Sequence, residues 1–405
     1  MDIRDAVVLL IGDELLEGRI SDSNLSAAAS ALDSRGVKVA WARVVPDSPE
    51  TIASAVREAA GPDRIVVTTG GLGPTDDDLT LASVASAFGL DLVADPEATS
   101  WIRSWYSRRG ADCPRSALRQ AMLPRGAVPV HNDMGVAPGV VLRTGDATVL
   151  CLPGVPREAE ALLPPCLDAA GLARGHSVGM PVLRTWGIPE TILYEKIASS
   201  SVCAMSELAF LPRPGLVDLK VRGYGGAALA DALAALLGEA VYAREWKPLE
   251  AVAGDELEAG NLTLSVAESC TGGLLGGRIT SVPGSSGWFL GGVIAYSNYL
   301  KRKLLAVPAE ILAESGAVSE AAARAMAEGV RQCSGSDTAL AVTGVAGPGG
   351  GTESRPVGTV WMALEGPGFS EAREWRFGGN RHSVREASAA CALGMLVAAL
   401  RRGRG

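Results

Sequence analysis

One serine of the chain has a position that suits nucleophilic chemistry. Ser269 follows a predicted buried strand over residues 262–267 and precedes Thr271-Gly272-Gly273 and a predicted helix. At a strand–turn–helix junction, backbone N–H groups can stabilise an oxyanion or the deprotonated hydroxyl itself. A serine that merely caps the helix would occupy the same position, so position alone leaves both interpretations open.

A lysine further along the chain is a candidate base for this serine. Lys301 lies 32 residues after Ser269 and follows Tyr296 closely. The chain has 37 lysines and arginines, of which 6 are lysines and the remaining 31 arginines. A desolvated lysine can act as a base, whereas arginine cannot lose its proton in a protein. Histidine is scarce, so a Ser–Lys pair is the available route to an activated hydroxyl, with a solvated surface lysine as the alternative. The three histidines are His131, His176 and His382.

Cys270 is the rival nucleophile, because a thiol is intrinsically more reactive than a hydroxyl. No histidine is near it in the sequence to pair with it, and its neighbours predict burial. The seven cysteines are an odd number without a CxxC pair, which favours buried thiols in a reducing compartment over a disulfide framework.

Two further features of the C-terminal third could bind an anion. A glycine-rich loop over residues 342–351, which includes Thr343 and Gly344, follows a predicted strand and offers unhindered N–H groups, although a flexible loop would have the same composition. Arg381 and Arg385 lie one turn apart at the start of the last predicted helix and could hold a phosphate or carboxylate. A solvated helix face is the alternative for Arg381.

The N-terminal third carries glycine and carboxylate loops after successive strands. Residues 70–78 read Gly-Gly-Leu-Gly-Pro-Thr-Asp-Asp-Asp, directly after a predicted strand. The glycines suit a phosphate, and the aspartates suit a divalent cation between carboxylate and phosphate, unless they only cap a helix. Acidic loops also follow the first two strands, at residues 12–18 and at Asp47. Such loops converge on one edge of a parallel sheet, where ligands bind.

The hydrophobic pattern places these loops on an α/β framework. Strands at residues 6–11, 37–45, 65–69, 140–142 and 148–152 alternate with helices at 24–34 and 49–60 and after Pro156, which predicts a parallel sheet covered on both faces. A shorter pattern of strands and helices fills residues 182–237. We interpret that segment as a small spacer, because it has neither a GXXG loop between helices nor the basic, aromatic stripe of an RNA-binding module. Strand–helix alternation resumes after residue 251.

These motifs resemble the competence/damage-inducible CinA family. Residues 267–273, 296–301, 341–348 and 378–385 resemble its C-terminal nicotinamide mononucleotide deamidase domain, and the loops of residues 5–170, with 135–139 and 152–156, resemble its molybdopterin-binding-type domain. The resemblance implies an α/β fold with a molybdopterin-binding-like N-terminal domain (1–171), a small α+β middle domain (172–250) and a C-terminal α/β/α deamidase domain (251–405).

The resemblance also implies two activities, deamidation of nicotinamide mononucleotide and metal-dependent hydrolysis of ADP-ribose. For deamidation it implies Ser269 as nucleophile, Lys301 as base and Tyr296 beside them, with no cofactor. For ADP-ribose hydrolysis it implies a divalent cation, Mg²⁺ or a transition metal, at Asp47, Asp77 and Asp78. The expected substrate-binding residues are Thr271, Gly272, Gly273, Thr343, Gly344, Arg381 and Arg385 in the C-terminal domain, and Gly70, Gly71, Gly73 and Thr75 in the N-terminal domain.

The composition of the chain limits the kinds of partner that the protein can bind. The net charge of −8 and the pI near 5.2, without a basic stripe, argue against direct binding of nucleic acid. No targeting segment is evident, and the apolar run at 387–400 falls short of the ~20 residues that span a bilayer. We therefore expect a cytoplasmic homodimer without membrane association. The alternatives are a molybdopterin-handling protein with an inert C-terminal domain and a scaffold in DNA uptake or repair.

Overall fold

The computed structural model describes residues 3, 5–172, 181–200, 202–221 and 226–403. The chain forms two compact units, residues 1–179 and 180–405. Residues 173–180 near the start of the predicted middle domain, with His176 among them, lie outside the described residues. The predicted boundary between residues 250 and 251 falls inside the second unit and stays a prediction.

A six-stranded sheet forms the centre of the first unit, in the order β2-β1-β3-β8-β7-β6. The neighbours from β2 to β8 pair in parallel, as predicted, whereas β7 and β6 add an antiparallel edge. A separate pair, β4 and β5, is antiparallel. The strands are β1 (Asp5–Ile11), β2 (Lys38–Val45), β3 (Arg64–Thr69), β4 (Leu92–Ala94), β5 (Met122–Pro124), β6 (Val128–Val130), β7 (Gly139–Thr144) and β8 (Ala147–Leu152).

Strand β1 shows why the predicted strands are continuous apolar runs. Val7 and Leu9 pack into the core on one face of the sheet, while Val8 and Leu10 pack into the core on the other face. A strand covered on both faces needs apolar residues at every position. Helices supply both covers: α1 (Asp13–Leu16), α2 (Asn24–Asp33), α3 (Pro49–Ala59), α4 (Thr80–Ala87), α5 (Pro96–Ser107) and α6 (Pro156–Ala169).

The second unit contains two sheets. A four-stranded antiparallel sheet has the order β10-β11-β9-β12, and a five-stranded sheet has the order β14-β13-β15-β16-β17. In the larger sheet, β14, β13 and β15 are parallel, and β16 and β17 are antiparallel. The strands are β9 (Val182–Trp186), β10 (Leu208–Arg213), β11 (Leu216–Val221), β12 (Val241–Ala243), β13 (Leu264–Glu268), β14 (Phe289–Ile294), β15 (Thr338–Gly344), β16 (Thr359–Gly366) and β17 (Phe369–Arg376).

Helices cover the larger sheet on both faces. Val266 packs into the core beneath α9 and α14, and its neighbour Ala267 packs into the core beneath α13. This is the α/β/α arrangement that the sequence predicts, and the predicted fold class is confirmed. The helices are α7 (Glu190–Ser200), α8 (Gly226–Leu237), α9 (Leu249–Gly260), α10 (Leu274–Thr280), α11 (Asn298–Leu305), α12 (Ala309–Glu314), α13 (Glu320–Ser334) and α14 (Arg381–Arg402).

Helix α14 is buried more completely than its sequence pattern predicts. The helical spacing of Val384, Cys391 and Met395 predicts that one face of the helix is packed. In the structure, every residue of the helix from 387 to 400 is buried. The reason is that α14 packs against both sheets of the unit, through a core that also contains Trp186 and Leu216. Among the described residues, α14 alone is long and apolar enough to cross a membrane, and 83% of its most apolar window is buried inside the protein.

Candidate functional site

Ser269 is the first residue after β13, at the carboxyl end of a central parallel strand. Its N–H donates to the carbonyl of Val342 at the end of the neighbouring strand, at 2.9 Å. The chain then turns through Gly272 and Gly273, whose φ angles of +59° and +94° favour glycine, and enters α10. The hydroxyl is therefore held at the edge of the sheet by a turn of fixed geometry.

Lys301 reaches this hydroxyl from α11. Its Nζ lies 2.9 Å from Ser269 Oγ, 2.8 Å from the carbonyl oxygen of Ala295 and 3.4 Å from that of Tyr296. The side chain is 1% exposed. Burial without a carboxylate partner lowers the pKa of Lys301 from its usual 10.5.

The three acceptors around the Lys301 amine can each take one N–H of its charged form, and the arrangement also accommodates its neutral form. A neutral amine has two N–H donors and one lone pair, and the two carbonyls can accept only the N–H bonds. In the neutral form the lone pair therefore faces the Ser269 hydroxyl, whereas the charged amine donates to it. This arrangement can take the serine proton, which is the chemistry of a general base.

Cys270 lies beside the pair but is poorly suited to act as nucleophile. The thiol is buried, and burial raises its pKa to about 12. The thiolate is the reactive form of cysteine, so this thiol is inert near neutral pH.

Tyr296 and Arg381 form the mouth of the site. The Tyr296 side chain is 60% exposed, and its hydroxyl accepts a hydrogen bond from Arg381 Nη2 at 3.1 Å. Arg381 Nη1 donates to the carbonyl of Gly347 in the glycine-rich loop at 2.7 Å. Arg381 is exposed, and its two hydrogen bonds link the segment of Tyr296 to the glycine-rich loop.

Arg385 and Thr343, both predicted to contact the substrate, have hydrogen-bond partners within the protein. Arg385 donates from Nε and Nη2 to the carbonyl of Thr271, which positions the loop after Ser269. Thr343 is 1% exposed, and its hydroxyl donates to the carbonyl of Ala317 at 2.7 Å. Gly344 allows close approach of β16, because a Cβ there would lie 2.6 Å from Val360.

In the turn after Ser269, some N–H groups donate to acceptors in the described part of the protein and others do not. The N–H of Gly273 donates to the Glu268 carboxylate at 2.9 Å and is not available for a substrate. Within the described chain, the N–H of Gly272 makes no hydrogen bond to a protein group. The Thr271 hydroxyl is buried and without a hydrogen-bond partner among these residues. Gly272 is thus the candidate donor to an oxyanion.

Glu268 is a residue that the sequence reasoning missed. It is buried at the end of an apolar strand, next to Ser269, and its carboxylate binds the first N–H groups of α10. A charged residue that ends a buried strand immediately before the nucleophile is the signal that could have found it.

The first unit has its own candidate site, a cleft of about 1010 Å³ at the carboxyl ends of β1, β2, β3 and β8. The acidic loop after β1, Asp47 and the glycine loop after β3 line it together, as their positions after parallel strands predict. Asp13 and Asp47 each accept a hydrogen bond from the other's backbone N–H, at 3.3 and 3.0 Å.

The glycines of this cleft permit close backbone packing. A Cβ on Gly70, whose φ is +104°, would lie 2.1 Å from the Ile11 carbonyl oxygen. A Cβ on Gly71, whose φ is +64°, would lie 2.4 Å from the hydroxyl oxygen of Thr80. Because neither residue has a Cβ, the loop after β3 can pack directly against β1 and α4, at the base of the cleft.

Asp78 organises the glycine loop. Its two carboxylate oxygens accept hydrogen bonds from the N–H of Gly73 at 2.6 Å, and from the N–H and the hydroxyl of Thr75 at 2.8 and 2.6 Å. Asp78, Gly73 and Thr75 thus have hydrogen-bond partners within the loop, and their predicted roles as metal ligand and substrate contacts stay predictions.

Asp47 and Asp77 fit a divalent cation better. Both line the cleft. Burial, and then the neighbouring carboxylates of Asp13, Glu14 and Asp77, raise the pKa of Asp47, so a cation would relieve an unfavourable charge there. Among the described residues no three potential ligands are assembled as a metal site. One or two carboxylates together with substrate phosphates are the ligands that Mg²⁺ commonly uses.

The folds and sequence matches together define the class of protein. Residues 7–168 match the family described as a probable molybdopterin binding domain, and residues 246–400 match the CinA C-terminal domain. The chain is thus an α/β protein that joins a molybdopterin-binding-type domain to a CinA C-terminal domain.

Full-length relatives identify the family. A CinA-like protein of Gemmatimonas aurantiaca is 41% identical over 419 residues, which cover 99% of this chain and 97% of the relative. A CinA-like protein of Parasynechococcus marenigrum is 43% identical over 390 residues and 92% of each chain. The crystal structure of competence/damage inducible protein CihA from Agrobacterium tumefaciens is 40% identical, covers 39% of this chain and 99% of its own, and has a TM-score of 0.37. The chain belongs to the CinA family of competence/damage-inducible proteins, and the predicted resemblance is confirmed.

Proposed function

We propose that the second unit deamidates nicotinamide mononucleotide to nicotinate mononucleotide and ammonia. The observation that carries this proposal is the buried Lys301 amine at 2.9 Å from Ser269 Oγ. A desolvated amine beside a strand-end hydroxyl is the arrangement of an amidohydrolase that uses a Ser–Lys pair.

The reaction follows from the positions of these two residues. Lys301 Nζ takes the Ser269 proton as Oγ attacks the carboxamide carbon, and the Gly272 N–H donates to the resulting oxyanion. The C–N bond then breaks, and Lys301 returns the proton to the leaving nitrogen, which departs as ammonia. Water, activated by the same amine, hydrolyses the nicotinoyl ester and restores Ser269.

The mouth of the site supplies groups for the rest of the nucleotide. The exposed ring of Tyr296 offers a flat surface for a pyridinium, a cation that aromatic rings attract. Arg381 lies beside it and carries the positive charge that suits a phosphate. Both are candidates for binding, whereas Arg385 positions the Ser269 loop.

Ammonia release from nicotinamide mononucleotide by the purified full-length protein tests the proposal. We expect equal amounts of ammonia and nicotinate mononucleotide, quantified by a coupled assay and by chromatography. Lys303→Arg is a matched control, because this exposed lysine lies on the same helix near the Tyr299 ring. The absence of ammonia at millimolar substrate would rule out this substrate.

We propose a second activity, hydrolysis of ADP-ribose to AMP and ribose 5-phosphate, for the cleft of the first unit. The supporting observation is the convergence of Asp47, Asp77 and the loop of Gly70 and Gly71 on one cleft. A divalent cation held by Asp47 and Asp77 would supply charge neutralisation at the pyrophosphate. Product analysis with and without added Mg²⁺ or Mn²⁺ tests it. Quenching of pterin fluorescence without ADP-ribose turnover would favour the alternative of a molybdopterin-handling protein.

A further inference from the structure

The side chain of Glu268 forms hydrogen bonds across the turn that carries Ser269. It is 2% exposed. Oε2 accepts hydrogen bonds from the N–H groups of Gly273 and Leu275 at 2.9 and 3.1 Å, and Oε1 accepts one from Gly276 at 2.8 Å. The residue before the nucleophile is thereby tied to three residues after it.

The backbone of Glu268 connects the same turn to the base. Its carbonyl accepts a hydrogen bond from the N–H of Ala295 at 2.8 Å, and the carbonyl of Ala295 in turn accepts from Lys301 Nζ at 2.8 Å. One residue therefore contacts both the loop of the nucleophile and the segment that holds the amine.

Burial of the Glu268 carboxylate costs free energy, and neither β13 nor α10 requires a carboxylate at this position in order to form. A charged group at the end of an apolar strand is costly unless hydrogen bonds compensate it. An apolar residue would continue the pattern of β13, and a serine or asparagine would cap α10. The carboxylate is distinguished by its ability to accept all three N–H groups at once, which fixes the turn in one conformation.

We propose that Glu268 is a positioning residue that holds Ser269 Oγ against Lys301, an inference that rests on the proposed Ser–Lys deamidase. The N–H groups of Gly273 and of the first turn of α10 donate to Glu268, while the N–H of Gly272 remains for the oxyanion. Misplacement of reacting atoms by about 1 Å can cost about 10²-fold in rate. Loss of the carboxylate should therefore lower the rate of the chemical step more than it changes substrate affinity.

The test compares Glu268→Gln with Asp337→Asn in the full-length protein. Asp337 is a matched control, because its carboxylate accepts hydrogen bonds from the N–H and hydroxyl of Thr263, at 2.9 and 2.7 Å, before the opposite end of β13. We expect Glu268→Gln to lower kcat about 10²-fold with a much smaller change in KM. Asp337→Asn should leave kcat near that of the unmodified protein even where its Tm falls.

A second readout is independent of the proposed substrate. Phenylmethanesulfonyl fluoride forms a bond between sulfur and Ser269 Oγ as fluoride leaves and Lys301 takes the proton, and mass spectrometry measures the modification. The rate per folded molecule should fall in Glu268→Gln and, less severely, in Glu268→Asp, which keeps the charge on a shorter side chain. It should not change in Asp337→Asn.

The outcomes separate the two proposals. Modification of Ser269 without ammonia release would exclude the proposed substrate, and the modification rates would still decide the role of Glu268. If both Glu268 variants react at the rate of Asp337→Asn per folded molecule, the positioning role is wrong. If the Glu268→Gln chain does not fold, Glu268→Asp is compared with Asp337→Asn in its place. The same two results then decide the role of Glu268.

Discussion

Arg385 donates two hydrogen bonds to the carbonyl oxygen of Thr271, from Nε at 3.2 Å and from Nη2 at 2.7 Å. A guanidinium that spans one acceptor in this way restrains the loop after Ser269 from the side of α14, while Glu268 restrains it from β13. The nucleophile therefore lies on a loop that is held at both ends.

The first prediction separates a positioning role of Arg385 from the substrate contact that the family resemblance implies. Arg385→Lys keeps the charge but loses the planar, two-pronged donor. We expect kcat for deamidation to fall roughly 10-fold or more with a small change in KM, because a misplaced loop affects the reacting atoms. Arg381→Lys is the comparison and should mainly raise KM. A raised KM with unchanged kcat in Arg385→Lys would support the substrate contact.

The second prediction concerns the identity of the nucleophile. Ser269→Ala should lower deamidation roughly 10⁴-fold or more, as removal of a nucleophile does in a serine hydrolase. Cys270→Ala should retain most activity, because the buried thiol stays protonated. Steady-state ammonia release from both variants decides it, with circular dichroism to verify folding. Activity lost in Cys270→Ala and kept in Ser269→Ala would contradict the assignment.

The third prediction uses the titration of Lys301. Burial lowers its pKa below 10.5. Only the neutral amine accepts the serine proton, so kcat/KM should rise with pH through the lowered pKa and then level off. Lys301→Arg should lower the rate by about 10²–10⁴-fold, the usual contribution of general-base assistance.

Folding stability should follow the same titration of Lys301. Between the lowered pKa and 10.5 the unfolded chain binds more protons than the folded one, so stability contributed by this group increases with pH there and is lost below it. Lys303→Arg should leave both profiles unchanged. A pH-independent rate, or near-normal kcat in Lys301→Arg, would contradict the role of Lys301 as base.

Some parts of the site were predictable from local sequence because local patterns determine them. The pattern of residues 262–267 predicts a strand, and the end of that strand places Ser269 at the edge of the sheet. The scarcity of histidine and lysine then directs attention to Lys301. The same argument places Asp47 and Gly70 at one cleft, because both follow parallel strands of one sheet.

Other parts could not be predicted, because partners distant in sequence determine them. Thr271 and Arg385 are 114 positions apart, and nothing local indicates that one accepts from the other. Asp78 reads as a free carboxylate until the loop folds back on it. Strand β17 has no apolar run that would predict it, because it is an edge strand rich in charged residues, the composition by which sheet edges avoid pairing with other chains.

The fourth prediction distinguishes the two proposed activities by their need for a metal, and the roles of Asp47 and Asp78 by substitution. EDTA should stop ADP-ribose hydrolysis and spare deamidation, because the first unit carries the carboxylate-lined cleft and the Ser–Lys route needs no metal. Asp47→Asn should also abolish ADP-ribose hydrolysis. Its stability should rise at neutral pH, since the raised pKa of Asp47 means that the folded state disfavours the charged carboxylate above 3.8.

Asp78→Asn is the comparison for Asp47→Asn. It should lower the Tm, because its side chain loses acceptors for Gly73 and Thr75. Differential scanning calorimetry and product chromatography measure both effects. Equal loss of the two activities in EDTA would contradict the division between the units.

The fifth prediction tests the packing of α14 with a matched pair of glycine substitutions. In both helices alanine is favoured over glycine by about 1 kcal/mol of intrinsic propensity. A Cβ at Gly394 of α14 would lie 2.2 Å from Cδ2 of the buried Trp186, whereas a Cβ at Gly277 of α10 would meet nothing within 4 Å. Overpacking of a core costs typically 1–3 kcal/mol, so the clash should outweigh the propensity gain at position 394. Gly394→Ala should therefore lower the Tm of the second unit and Gly277→Ala should raise it, each by roughly 2–4 °C per kcal/mol in a domain of this size. Calorimetry of the two variants measures the shifts, and a Gly394→Ala protein as stable as Gly277→Ala would mean that α14 and β9 are not packed at this distance.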